Sequence, residues 1–456
     1  MESVYSQIVN EFLSQTELFM GSLDDLPFET AAELYDIFKE AAKVATENID
    51  DINPQLRVIV CDRQDKVLDR IAEVMPPFMN TGKKLNIFSP SLGDELKPWG
   101  NHHLMKDCGL SVYLLAKKID ANPVMFFGDD AEDYPYLSLL PGMEMQYRSL
   151  KEPAFPVFER HLKEHWEQMD ILVLYGMYEE SYGYLDAYRQ VRPDGKVYCA
   201  FDMNTFWMKS IDWENDQVKN FMRQCDIIAT SCRKMRDLLN SMPEIKFPCR
   251  WLANGFYNPT GLKITAEAEY KENIILTVGR IGNPEKNHEE LLIAFAAASR
   301  ALPEWTLRLA GPVNPTFNSF LDWFYNEHPK LKERVILTGS IVDKAKLYDE
   351  YAKAKVFTLT SRSESGTPNV YAEALFHGCK FVASDIDGAD DITNYGEFGE
   401  IYTRGNAEGL AAALIKVCSE ANVTGLQDHI PKAIAYAEKY YDWNKISKKL
   451  AYMMLR

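Results

Sequence analysis

Up to about residue 82, apolar residues recur at helical spacing. "VYSQIVNEFLSQTELFM", "FETAAELYDIFKEAAKVATENI" and "QDKVLDRIAEVMPPF" carry them three and four positions apart, until the Pro pair and "NTGKK" stop the pattern. This predicts a helical N-terminal extension over 1–82, with Thr30 or the acids near it opening the second helix. Such an extension is either a docking or oligomerisation element or a helical layer packed on the main body.

From Lys83 the rhythm changes. Strand-like runs ("KLNIFSP", "PVMFFGDD", "DILVLYGMY", "GKVYCAFDMN", "DIIATS") alternate with amphipathic stretches such as "LSVYLLAKKI", "FERHLKEHWEQM" and "ESYGYLDAYRQV". After the turn signals of "ANGFYNPTG" and the charged "AEAEYKEN", the alternation starts again with "NIILTVGRI", "TLRLAGP", "RVILTGSI", "VFTLTSRS" and "CKFVASDI". Apolar strands bounded by turns and separated by amphipathic helices predict parallel βαβ units. Two Rossmann-like domains are expected, 83–262 and 263–429, with ligands bound at the C-terminal ends of the strands.

Composition narrows the function. At 456 residues the chain exceeds one ordinary core, in keeping with several domains. A formal net charge of −17 argues against a general nucleic-acid binder and against adhesion of a broad face to an anionic membrane. An anionic ligand therefore has to meet particular Lys and Arg residues. No run approaches the ~20 apolar residues of a transmembrane segment. "MESVYSQIVNEF" lacks the basic and apolar regions of a signal peptide, so a cytoplasmic location is expected. The eight cysteines form no C-x-x-C pair, and several sit in apolar runs such as "VIVCD" and "VYCAF". Reduced core thiols are expected, with disulfides the alternative.

Two stretches carry candidate chemistry. In "LTVGRIGNPEKNHEELL", Gly279 permits a sharp turn after a strand, and Arg280 and Lys286 place two cations in the loop. Arg grips phosphate oxygens in a fork, while Lys supplies a compact point charge. Alone, each reads as a solvated surface charge; the strand–loop–helix junction sets them apart. In "SRSESGTPNVYAEAL", Thr367 reads as an N-cap and Pro368 as the first helical residue. Gly366 allows close backbone approach, so the amides of 366–370, Asn369 among them, face an anion. Glu373, inside the helix, suits the vicinal hydroxyls of a ribose, and Glu364, on the incoming loop, suits those of a sugar.

These motifs resemble those of a family. "VGRIGNPEKN" is similar to the loop that opens V-G-R and closes on a Lys in the retaining GT-B glycosyltransferases, in the GT4-like group (glycosyl transferases group 1). "RLAGP" and "VILTGSIVDKAKLYDEYAKAKVFTLTSRSE" resemble that family's next elements. "NVYAEALFHGCKFVASDIDGADDI" resembles its E-A-x-x-x-G-x-P-V segment, with Phe381 where a Pro is common. "YYDWNKISKKL" resembles its terminal helix, which returns to the N-terminal domain, here 430–456.

The resemblance implies an α/β GT-B fold, two Rossmann-like domains facing a central cleft, plus the helical extension. It implies transfer of a sugar from a nucleotide-diphosphate donor, a UDP-sugar being expected, to a saccharide, peptide or lipid-carrier acceptor with retention of configuration. Arg280 and Lys286 would hold the diphosphate, Glu373 the ribose and Glu364 the donor sugar. Gly279, Gly366, Thr367 and Asn369 would complete the donor site. The family's two glutamates are separated by seven residues and these by eight, so strict counting puts Ser365 first. An insertion after Glu364 is preferred because loops absorb it more easily than helices.

The N-terminal half departs further from the family. Its first loop, "SPSLGDELKPWGNHHLMKDCGL", is long and has scattered glycines. Gly100, Asn101 and His102 are the acceptor-side candidates. Where relatives carry a His facing the donor, this chain offers Asp202, as a catalytic group or as a loop cap. No metal is expected, because no third ligand stands at metal spacing and two basic side chains neutralise the diphosphate; no cofactor is expected either. The rival readings are a GT-B-shaped partner of another transferase that no longer transfers sugar, and another GT-B enzyme such as a sugar-nucleotide epimerase. A partner protein or second subunit would bind through 1–82.

Overall fold

The computed structural model describes residues 3–90, 103–127, 134–147 and 152–456. The chain forms two compact units, Met1–Ala253 with Asp442–Arg456, and Asn254–Tyr441.

The first unit opens with helices α1 (Val4–Gln15), α2 (Phe28–Glu47) and α3 (Pro54–Val74). Helix α3 starts where its residues say it should: Pro54 takes the first position and the Asn53 side chain accepts the Gln55 N–H at 3.0 Å. The following elements are β1 (Leu85–Pro90), α4 (Asp107–Lys118), β2 (Ala121–Phe127), β3 (Glu144–Tyr147), α5 (Ala154–His165), β4 (Ile171–Tyr175) and α6 (Glu179–Val191). Then come β5 (Lys196–Phe201), α7 (Asp216–Gln224), β6 (Ile227–Thr230), α8 (Arg233–Ser241) and β7 (Arg250–Trp251). The strands make one parallel sheet in the order β3-β2-β1-β4-β5-β6-β7. Phe88, Leu172, Leu174, Phe158, Leu185 and Cys199 form its core.

Residues 3–82 are a layer of this unit. Arg57 is fully buried, and its guanidinium donates to the carbonyls of Asn240 (2.7 Å), Met242 (2.8 Å), Ile245 (2.5 Å) and Leu239 (3.2 Å). These carbonyls belong to the last turn of α8 and the residues just beyond it, where a cation is favoured. Further along α3, buried Asp65 pairs with Arg236 at 2.9 Å and with Arg250. Asp69 pairs with Lys449.

The second unit contains β8 (Glu272–Val278), α9 (His288–Ala298), β9 (Thr306–Ala310), α10 (Asn318–Glu327), β10 (Val335–Gly339), α11 (Lys344–Lys353) and β11 (Ala354–Leu359). It continues with α12 (Asn369–Phe376), β12 (Lys380–Ser384), β13 (Gly399–Tyr402), α13 (Ala407–Glu420) and α14 (Val423–Tyr440). Its parallel sheet runs β10-β9-β8-β11-β12-β13 around Ile275, Leu307, Leu309, Val356 and Val382. Strand order reverses at β1/β4 in one unit and at β8/β11 in the other, the positions where such sheets bind ligands.

Two differences from the sequence reading have local causes. Strands β3 and β13 are four residues long and lack a continuous apolar run, so periodicity passes over them. The expected single helix over 430–456 is two: α14 stops at Tyr440, and α15 (Trp443–Leu455) begins anew where the Asp442 side chain accepts the Asn444 N–H at 2.8 Å. The cysteines agree with the reading of reduced core thiols: all eight are free and seven are buried.

Candidate functional site

The loops after β8 and β11 are fastened together at the switch point of the second unit. The Gly279 N–H donates to the Ala310 carbonyl at 3.0 Å, and the loop after β9 passes very close. Gly311 has φ +147°, and a Cβ there would lie 1.7 Å from the Gly279 oxygen, so only glycine fits. The Ile281 N–H donates to Pro312 at 2.9 Å, which braces the backbone on either side of Arg280. Arg280 itself is half exposed, its guanidinium donating to Glu285 Oε1 at 2.7 Å.

Lys286 ends a single turn, Pro284–Lys286, and Asn287 follows in the left-handed conformation (φ 55°, ψ 40°), which Asn tolerates. The Lys286 ammonium pairs with Glu364 Oε1, the two side chains being 15% and 14% exposed. The Ser361 hydroxyl donates to the same oxygen at 2.5 Å. Three more bonds join the loops: Arg362 N–H to the Glu285 carbonyl (2.8 Å), the Arg362 guanidinium to Asn287 Oδ1 (2.8 Å), and the Thr360 hydroxyl to the Lys286 carbonyl (3.0 Å). His288, the first residue of α9, accepts the Gly282 N–H on Nδ1 at 3.1 Å. Burial, aided by the charge of Lys286, pushes its pKa down to about 4, so at neutral pH it is an uncharged acceptor.

The start of α12 lies one residue later than its sequence suggests. Pro368, with φ −62° and ψ 139°, occupies the cap position and Asn369 is the first helical residue. Thr367 is fully buried and its side chain does not cap the helix. Gly366 reaches this point with φ +72°. With no side-chain cap, the first amides of α12 suit an anion.

Glu373, in the second turn, is held by groups the sequence reading missed. The Tyr351 hydroxyl donates to its Oε2 at 2.7 Å, and Lys344 Nζ lies 3.7 Å from Oε1. Burial, together with the Glu373 carboxylate, pushes the Tyr351 phenol far above its ordinary range, so it stays a donor. His377 Nδ1 is 2.7 Å from the Glu373 carbonyl, and its ring stacks on Tyr351 with centroids 5.4 Å apart. The available signal was helical spacing: Lys344, Tyr348 and Tyr351 recur on one face of α11.

Arg280, Lys286, Glu364, Gly366 and Glu373 thus all belong to the loops and helix that follow β8 and β11. Asp202 follows β5 in the first unit, where it accepts the Tyr178 hydroxyl at 2.7 Å. Burial, with Asp202 beside it, raises the Tyr178 phenol. Gly100, Asn101 and His102 lie outside the described residues. Among the described residues, no group of three or more His, Cys, Asp or Glu is arranged to hold a metal ion, and no helix is long and apolar enough to cross a membrane.

Comparison with known proteins adds to this geometry. Residues 272–420, from the first residue of β8 to the last of α13, match the family described as glycosyl transferases group 1. No curated protein sequence matches the chain. Among solved structures, HepE of Anabaena in complex with UDP has a TM-score of 0.58 at 16% identity, covering 81% of this chain and 98% of that one. The sucrose-phosphate synthase of Thermosynechococcus elongatus scores 0.59 at 17%, covering 80% and 97%. A glycosyltransferase from Rickettsia africae scores 0.58 at 13%, covering 82% and 99%. These likenesses establish a GT-B fold with two Rossmann-like units.

Proposed function

We propose that the protein is a retaining glycosyltransferase of the GT4-like group. It moves a sugar from a nucleoside diphosphate to an acceptor hydroxyl of a saccharide, peptide or lipid carrier. The observation that carries this reading is the grouping of Arg280, the Lys286–Glu364 pair, the uncapped start of α12 and Glu373, all within the segment similar to glycosyl transferases group 1. UDP is the first donor base to test, since HepE was solved with it.

In this reading Arg280, Lys286 and the first amides of α12 hold the diphosphate, and Glu373 accepts hydrogen bonds from the ribose. A diphosphate arriving beside Lys286 shares the ammonium with Glu364, whose carboxylate then serves donor-sugar hydroxyls. As the bond from the anomeric carbon to the β-phosphate oxygen breaks, negative charge grows on that oxygen, and fixed donors stabilise it at no reorganisation cost. The same oxygen takes the proton of the acceptor hydroxyl as the new glycosidic bond forms on the same face, which retains configuration. No protein nucleophile is required, and two basic side chains take the role a divalent cation plays elsewhere. Asp202 is assigned to polarising a hydroxyl of donor or acceptor.

The test is thermal stabilisation by UDP, GDP and ADP of the wild type and of a Lys286→Ala/Glu373→Ala variant. A nucleotide at 100 times its Kd adds about 2.7 kcal/mol to the folded state. Stabilisation by one nucleotide, absent in the variant, supports the donor site. No response to any of the three refutes it and favours an inactive GT-B-shaped partner.

A further inference from the structure

We propose that Tyr351 is the positioning residue that makes this site require a nucleotide with an intact ribose, by fixing the carboxylate of Glu373. The inference rests on the donor reading above and extends it to the selection of the nucleotide sugar moiety.

A carboxylate offers about four lone-pair positions. The Tyr351 hydroxyl occupies one on Oε2 at 2.7 Å, and the Lys344 ammonium stands 3.7 Å from Oε1. The ammonium contributes charge at a distance too long for a hydrogen bond, so three positions remain, enough for two vicinal hydroxyls. A carboxylate on an exposed helix would rotate freely and take either hydroxyl in many geometries. This one does not, because its donor is immobile. Tyr351 is fully buried, its ring stacks on His377 at an interplanar angle of 23°, and the His377 imidazole is tied to the Glu373 carbonyl at 2.7 Å. The backbone of Tyr351 is held as well, its carbonyl accepting the buried Lys271 ammonium at 3.4 Å and the Cys379 thiol at 3.4 Å. The phenol, the imidazole and the carboxylate therefore form one rigid assembly bridging α11 and α12. A ribose lacking one hydroxyl leaves a lone pair of this oriented carboxylate unmatched, and a site built to bond a hydroxyl discriminates sharply against its loss.

The experiment is calorimetric titration of the full chain with UDP, GDP and ADP and with their 2′-deoxy counterparts, in wild type and Tyr351→Phe, with melting temperatures recorded alongside. Phe keeps the buried ring and removes only the donor. In wild type the ribonucleotide that binds should do so about tenfold or more tightly than its deoxy form, the worth of a hydrogen bond to a charged group. In Tyr351→Phe its affinity should fall toward that of the deoxy form, leaving a ratio of about threefold or less, while deoxynucleotide affinity stays within about twofold. A merely structural role would weaken both ligands equally. Equal weakening, or an unchanged ratio in Tyr351→Phe, overturns the role of Tyr351 and leaves the donor site standing. Failure of wild type to bind any ribonucleotide overturns the donor reading and this inference with it.

Discussion

Replacing Lys286 by Ala separates the two roles that the structure gives this residue. Its pair with Glu364 is neither exposed nor fully buried, the side chains being 15% and 14% accessible. Exposed pairs contribute about 0–1 kcal/mol, and breaking buried ones costs about 3–5 kcal/mol. Glu364 keeps one donor, the Ser361 hydroxyl at 2.5 Å, so a loss of about 2 kcal/mol is expected for Lys286→Ala. Glu364→Gln added to Lys286→Ala removes the unpaired charge and should restore most of that stability. Neither variant restores the cation, so both should bind the stabilising nucleotide about 10–100 times more weakly, as for one lost charge-assisted contact. Denaturant unfolding followed at the transition of the second unit, with calorimetric titration of nucleotide, measures both quantities. Nucleotide affinity of Lys286→Ala within twofold of wild type would remove Lys286 from the donor site. A double variant as unstable as the single one would show that the cost does not come from the stranded carboxylate.

Acid should destabilise the second unit before its carboxylates titrate. His288, His377 and His429 are buried, and burial pushes each pKa down to about 4. At pH 7 they are neutral folded or unfolded; below about 6.5 the unfolded chain takes up protons that the folded unit refuses until about 4. Stability is therefore lost as pH falls through that window, by up to about 3 kcal/mol per histidine. His377→Asn should flatten the dependence of the urea midpoint on pH between 7 and 4.5 by roughly a third, on the same linkage, and an unchanged slope would refute the assignment. In the first unit, Asp65→Ala strips buried Arg236 and Arg250 of a shared partner and should cost about 3–5 kcal/mol. Scanning calorimetry should show a fall of about 10 °C in melting temperature; a shift under about 2 °C would mean that the network is dispensable.

The layered architecture was legible because hydrophobic periodicity is local. A run such as "NIILTVGRI" declares a buried parallel strand through its own residues, and "SGTPNVYAEAL" declares a helix entry. The grouping of Arg280, Lys286, Glu364 and Glu373 was legible because the first three lie in the loops that follow β8 and β11 and Glu373 in the helix that the second loop opens, and the place of those strands in the sheet is dictated by βαβ connectivity. Edge strands β3 and β13 escaped, being short and without an apolar run.

Partnerships between distant side chains were not legible. Arg57 reads as one more charge on a surface helix, yet it caps α8 across more than 180 residues of sequence. Tyr351 reads as part of an apolar helical face, yet its hydroxyl meets Glu373 on the next helix. Such pairs depend on which helix face packs against which neighbour and at what height. That is the outcome of the whole unit burying its apolar surface at once, and no window of a few residues contains it. The chain's local pattern therefore specifies its strands, helices and loop chemistry, whereas packing specifies which carboxylate is held, by what donor and in which orientation.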